Sequence, residues 1–220
     1  MNIAKKQTTY QTTNTYEVLN ELNDKTKNIW IVLHGIGYLS KYFIKYFDEI
    51  NAEENYIIAP QAPSKYYLKN QYKYVGASWL TKENTVLEIT NVLAYLDAVY
   101  EAENLLGNKN LIIFGFSQGV SIATRWFASR KMPCKHLVLY AGGIPKELTV
   151  KDFEFLDDQQ TKITAIVGDK DPYLTASQVA LQTERITELF AKKAKQHIFE
   201  GGHEVKKEII NQLAQHGPIS

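Results

Sequence analysis

Gly115-Phe116-Ser117-Gln118-Gly119 is preceded by a short apolar run, Leu111-Ile112-Ile113-Phe114, and followed at once by residues with helical spacing. A G-x-S-x-G sequence between a strand and a helix makes a turn so sharp that the residues two before and two after the serine must be small. Gly115 and Gly119 meet that demand. The turn lifts the Ser117 hydroxyl clear of the sheet. It also sets the N-terminal dipole of the new helix, and the Gln118 N–H, beside the reacting centre. A serine presented in this way is suited to attack on a carbonyl carbon.

A serine hydroxyl is a poor nucleophile until a base takes its proton, and the base must be oriented by a third group. Five histidines are available. His216 is in the C-terminal tail, His136 and His197 open apolar runs, and His34 sits in the loop after the first core strand. His203 instead follows a strand, in the glycine-bearing loop Glu200-Gly201-Gly202-His203-Glu204-Val205, just before a helical pattern. That placement suits the chain order serine, acid, histidine. For the acid, the apolar run 163–167 ends in Gly168-Asp169-Lys170-Asp171-Pro172, and spacing alone leaves Asp169 and Asp171 as equal candidates. A second oxyanion donor is expected from Leu33-His34-Gly35-Ile36-Gly37, where glycines let the backbone approach a substrate closely. Ile36 N–H is the first choice there and Gly37 N–H the alternative.

Such loops need a sheet to hold them. Apolar runs at 29–33, 56–59, 111–114, 136–140, 163–167 and 197–199 read as strands of a buried parallel sheet. The Thr- and Tyr-rich segment 8–19 predicts one or two edge strands ahead of them. Val86, Ile89, Leu93, Leu96 and Tyr100 follow helical spacing, and Thr85 with Glu88 has the spacing of a capping box. Further helices are expected at 118–130, 177–192 and 205–213. The alternation implies an α/β fold, a mostly parallel sheet with helices on both faces, in which ligands sit beyond the carboxyl ends of the strands. A chain of 220 residues favours one domain, 1–220.

Lys and Arg number 25 against 24 Asp and Glu, a net charge of +1, and no basic stripe stands out. Nucleic acid is therefore not an expected partner. The single cysteine, Cys134, excludes an internal disulfide and a Cys-rich zinc site, and it reads as a small buried filler. The N-terminus lacks the apolar stretch of a signal peptide, and no apolar run is long enough to span a bilayer. A cytoplasmic protein without integral membrane association is expected. The 14 tyrosines are unusual. Tyr66, Tyr67, Tyr72, Tyr74 and Trp79 cluster, either as core packing or as the apolar wall of a groove.

Together these stretches resemble the α/β-hydrolases, and more narrowly the phospholipase/carboxylesterase family that includes acyl-protein thioesterases. The matching segments are Leu33-His34-Gly35-Ile36-Gly37, Ala59-Pro60-Gln61-Ala62-Pro63, Ser78-Trp79, Gly115-Phe116-Ser117-Gln118-Gly119, Gly168-Asp169-Lys170-Asp171-Pro172 and Gly202-His203-Glu204. They occur in the family's order and cover most of the chain. The resemblance implies Ser117, Asp171 and His203 as a catalytic triad and the N–H groups of Ile36 and Gln118 as oxyanion hole. It also implies a small ester or thioester substrate and no metal or organic cofactor. Gly35, Gly37, Tyr38 and Trp79 are the expected residues of the substrate groove. Three positions depart from the family's pattern. Tyr38 stands where Asp or Gly is usual, Trp79-Leu80-Thr81 replaces Trp-Phe-Asp, and Leu174-Thr175 replaces Val-Pro. The short stretch between Pro63 and Trp79 leaves no room for a large lid domain, so an open groove for short-to-medium acyl chains is expected. A peptidase or acyltransferase could use the same triad, and a non-catalytic ligand-binding protein could share the fold.

Overall fold

The apolar runs at 29–33, 56–59, 111–114 and 136–140 become strands because their side chains are buried on both faces, which only an inner position in a sheet covered on both sides allows. The structure, a computed structural model, describes residues 1, 3–108, 110–158, 160–173 and 176–219. In chain order the strands are β1 (Tyr16–Leu19), β2 (Asn28–Leu33), β3 (Asn55–Pro60), β4 (Ser64–Tyr67), β5 (Val75–Ser78), β6 (Leu111–Phe116), β7 (His136–Tyr140), β8 (Lys162–Gly168) and β9 (Ala194–Phe199). The helices are α1 (Ser40–Phe43), α2 (Thr85–Ala102), α3 (Gln118–Arg130), α4 (Ala176–Phe190) and α5 (Lys207–His216). Among the described residues seven strands form one sheet in the order β1-β3-β2-β6-β7-β8-β9, and β4 pairs with β5 in a separate hairpin. All pairings in the large sheet are parallel except β1 with β3, so the segment 8–19 supplies one edge strand.

The chain runs outward from β2 to β3 and then returns to place β6 on the other flank of β2. Strand order therefore reverses between β2 and β6, and a crevice opens beyond their carboxyl ends. Alternate residues of each strand feed two cores. One face packs Ile31, Leu33, Ile113 and Leu139 against α2, α3 and α4. The other packs Trp30, Val32, Phe114 and Tyr140 against α5, α1 and the short 3-10 helix Ile44–Phe47. Burying side chains of this size is worth roughly 1.5–3 kcal/mol each. Asn55 Oδ1, buried in the core, accepts from Trp30 Nε1 at 3.0 Å and from Asn28 Nδ2 at 2.9 Å, whereas His136 Nδ1 is buried without a partner among the described residues. Cys134 is buried as expected for a filler, and burial pushes its thiol up to about 12.

Several element ends differ from expectation, each for a local reason. Thr85 is not a cap: Asn84 precedes the helix, and the Thr85 hydroxyl donates to Thr81 O at 2.9 Å instead. The last helix begins at Lys207, because Val205 turns into the core beside Ile209 rather than starting the helix. The fourth ends at Phe190 and tightens into a 3-10 turn, Ala191–Lys193. β9 starts three residues before the expected run, since an edge strand tolerates the polar Lys195 and Gln196. Among the described residues no helix is long and apolar enough to cross a membrane.

Two histidines are held neutral in these cores. Burial lowers His34 to about 4. Burial, reinforced by Lys162 and Lys135, lowers His136 to about 3. Above pH ~6.5 both are neutral in folded and unfolded chain alike, and they add no pH dependence. Below it the unfolded chain takes up protons that the folded chain refuses. Stability should then fall by about 1.4 kcal/mol per pH unit for each histidine. The urea midpoint is expected to drop steeply from pH 6 to pH 4.5, and His136→Gln should shallow that slope by close to one proton. A midpoint flat across this window would contradict the account.

Candidate active site

Ser117 sits at the top of β6 with φ +53° and ψ −118°, a left-handed conformation that a non-glycine residue adopts only when its surroundings force it. They do so here through close packing. Gly119 lies against β2, and a Cβ placed on it would stand 2.0 Å from Leu33 O. A Cβ on Gly115 would meet Gly119 O at 2.6 Å. The serine N–H donates to Tyr140 O at 2.8 Å, tying the turn to β7.

The two partner loops meet the serine from the ends of β8 and β9. His203 Nε2 is 2.9 Å from Ser117 Oγ, and His203 Nδ1 is 2.7 Å from Asp171 Oδ2. The Asp171 side chain is fully buried, and its other oxygen accepts the Tyr173 N–H at 2.9 Å. Asp169, its rival by spacing, points elsewhere: its Oδ1 accepts the Gly201 N–H at 2.9 Å and so joins the two loops. The imidazole is flanked by Phe116 at 5.1 Å and by Tyr173 at 4.8 Å, the latter edge-on at 75°. Tyr140 Oη accepts the Lys206 N–H at 3.1 Å and fixes the chain just after the histidine.

A pocket of about 700 Å³ opens over these groups, lined by Gly35, Ile36, Tyr38, Ser117, Gln118 and Tyr173 among others. Gln118 is the first residue of α3, so its N–H has no acceptor within the helix. The Gln118 side chain faces away: its Oε1 accepts the Trp79 N–H at 2.8 Å, and its Nε2 donates to Leu80 O at 2.7 Å. The loop after β2 is braced from the same side. Trp79 Nε1 donates to His34 O at 2.8 Å, Gly37 N–H to Ala77 O at 2.8 Å, and Ala77 N–H to Tyr38 O at 3.1 Å. The loop thus pairs with β5 as a further strand would.

This bracing corrects two expectations. Trp79 is not a groove residue; it is fully buried behind the loop, with its ring 5.1 Å from that of His34. Gly37 is not a pocket-facing donor, because its N–H is spent on Ala77. Gly35 and Tyr38 do line the pocket. The aromatic cluster divides likewise: its four tyrosines, Tyr66, Tyr67, Tyr72 and Tyr74, are exposed on and around the β4–β5 hairpin, while Trp79 joins the core. The departure at Leu174-Thr175 lies outside the described residues. Sequence reasoning passed over Tyr173 and the glycine pair Gly142-Gly143, which also line the pocket. Their signal was a Gly-Gly directly after an apolar run and an aromatic two residues past a candidate acid. Among the described residues no group of three metal-ligating side chains comes together.

An acid–imidazole–hydroxyl chain beside the helix-terminal N–H of Gln118, open to a pocket without Lys, Arg, Asp or Glu among its described lining residues, can perform acyl transfer. The comparisons agree with that chemistry at the level of family. A sequence profile of the phospholipase/carboxylesterase family matches residues 14–218. A phospholipase/carboxylesterase from Dyadobacter fermentans superposes with a TM-score of 0.65 at 20% identity, covering 94% of this chain and 98% of that one. Acyl-protein thioesterase 2 of Zea mays gives 0.68 at 15% identity, with 92% and 97% covered. The Bacillus cereus carboxylesterase gives 0.64 at 13% identity, with 92% of each chain covered. No curated protein matches the chain. The profile match across nearly the whole length shows that this chain belongs to the phospholipase/carboxylesterase family of α/β-hydrolases.

Proposed function

We propose that residues 1–220 form one catalytic domain that hydrolyses carboxylic esters or thioesters of short-to-medium acyl chains through Ser117, His203 and Asp171. Ser117 Oγ bonds to the carbonyl carbon as its proton passes to His203 Nε2, and the carbonyl π pair moves onto oxygen. The oxyanion faces the N–H groups of Ile36 and Gln118. Collapse breaks the bond to the leaving alcohol or thiol, which takes the proton from His203. Water then attacks the acyl-enzyme, giving one proton to His203. That proton returns to Ser117 as the acid departs. Asp171 accepts the Nδ1 proton, holds the useful tautomer and stabilises the imidazolium.

The hydrogen-bond chain from Asp171 Oδ2 through His203 to Ser117 Oγ carries this reading. Among the described residues the pocket lining carries no Lys, Arg, Asp or Glu, which supports an uncharged ester as substrate. The test is twofold: labelling with a fluorophosphonate followed by peptide mapping, and hydrolysis of p-nitrophenyl esters from acetate to dodecanoate. Label on the peptide bearing Ser117, together with turnover of the shorter esters, is the expected result. Turnover at background with no label on Ser117 would defeat it.

A further inference from the structure

Two rings flank the imidazole of His203, and they differ in exposure. Phe116, its ring centre 5.1 Å away, is 1% exposed and has the Tyr140 ring against it. Tyr173, 4.8 Å away and edge-on, is 70% exposed. The main chain under Tyr173 is nonetheless held. Pro172 restricts the backbone before it, and the Tyr173 N–H donates to Asp171 Oδ1 at 2.9 Å. Its backbone is thus tied to the carboxylate that orients the histidine. On the other side Tyr38 meets Phe116 edge-on at 5.9 Å. Tyr38, Phe116, His203 and Tyr173 therefore form one continuous row of rings, and all four line the pocket over Ser117.

We propose that Tyr173 sets leaving-group specificity, selecting esters and thioesters whose departing alcohol or thiol carries a flat aromatic ring. The proposal rests on the serine-hydrolase reading above. His203 Nε2 must give its proton to the departing oxygen or sulfur, which therefore comes within about 3 Å of that nitrogen. The next few atoms of the leaving group are then within reach of the row of rings, where Tyr173 offers the uncovered surface. Aromatic pairs in edge-on or offset contact gain about two- to tenfold in binding beyond simple burial. A saturated ring of the same size gains the burial without the ring–ring contact. A cationic alcohol is disfavoured, because His203 becomes an imidazolium as Ser117 bonds to the carbonyl. The described lining residues of the pocket include no Asp or Glu to offset that charge. Tyr173 takes no part in proton transfer, so the bonds made and broken are those of the ester cleavage above.

The experiment compares kcat/KM for benzyl, cyclohexylmethyl and methyl butanoate in wild type, Tyr173→Phe and Tyr173→Ala. The first two share an acyl group and nearly share size, and the saturated ring is the more hydrophobic, so burial alone favours it. Wild type should instead prefer the benzyl ester by about two- to tenfold, and Tyr173→Phe should keep that preference. In Tyr173→Ala the benzyl-to-cyclohexylmethyl ratio should fall about twofold or more, and the benzyl-to-methyl ratio with it. A residue that merely held His203 in place would lower all three esters by one factor and leave both ratios as in wild type. Tyr173→Leu, which keeps bulk without a flat ring, carries the test if Tyr173→Ala does not fold. Ratios that move less than about twofold in folded variants still labelled by fluorophosphonate would overturn the selection and leave the serine chemistry standing. Label on Ser117 in a wild type that does not prefer the benzyl ester would do the same. No turnover and no labelling in wild type would remove both.

Discussion

Ser117→Ala is expected to lower kcat by about 10⁵–10⁶, His203→Ala by a similar factor, and the double variant by little more than either alone. In the proposed mechanism the three groups act as one unit: without the hydroxyl there is nothing for the base to activate, and without the base the hydroxyl is inert. Asp171→Asn has a different signature. Asp171 Oδ1 accepts the Tyr173 N–H, so an asparagine keeps its carbonyl there and turns its NH₂ toward His203. Nδ1 must then accept, the ring proton moves to Nε2, and the base is blocked in nearly native geometry. A loss of about 10⁴ in kcat follows. Asp169→Asn, which touches only the loop tie to Gly201, should stay within tenfold of wild type. Steady-state hydrolysis of p-nitrophenyl butanoate separates these cases. Losses that add in the double variant, or near-normal activity of Asp171→Asn, would refute the unit.

Gly119→Ala should abolish the folded enzyme. The added carbon would sit 2.0 Å from Leu33 O, a backbone atom of a strand that is hydrogen-bonded on both sides and has no side chain to swing away. Relief requires α3 to lift off β2, and the helix carries Ser117 at its start and Trp126 and Phe127 in the core. The cost is about 5 kcal/mol or more, a large share of an ordinary domain's stability. Gly202→Ala is the control, because a Cβ there meets nothing nearer than Lys170 O at 3.8 Å. Thermal melts should place Gly202→Ala close to wild type and Gly119→Ala unfolded or insoluble. A cooperative melt for Gly119→Ala within a few degrees of wild type would show that the contact can relax.

The strand–turn–helix around Ser117 was readable because steric necessity fixes residue types at fixed offsets, and buried parallel strands announce themselves as unbroken apolar runs. That His203 lies beside Ser117 was readable from its place after a strand. The choice between Asp169 and Asp171 was not, since both stand at the same strand end. The direction of each carboxylate is set by which N–H it meets, Tyr173 or Gly201. The β4–β5 hairpin left no apolar run because every side chain of β4 is exposed. Trp79 looked like a wall of the groove because the aromatic residues that precede it, from Tyr66 to Tyr74, are surface tyrosines, whereas its indole N–H reaches a carbonyl 45 residues away. Contacts of that range leave no trace in local pattern.

The hairpin is joined to the loop beneath it through main-chain atoms: Gly37 to Ala77, Ala77 to Tyr38, and Gly76 so close that a Cβ would stand 2.5 Å from Gly37 O. The side chains at its far end, Tyr67, Lys69, Tyr72 and Lys73, take no part in that joint. Evolution can therefore treat the two ends as separate ledgers. The base is locked by geometry and answers to the reaction, whereas the tip answers only to whatever meets the molecule from outside. Descendants of this chain can exchange one tip for another and change their company while their chemistry stays the same.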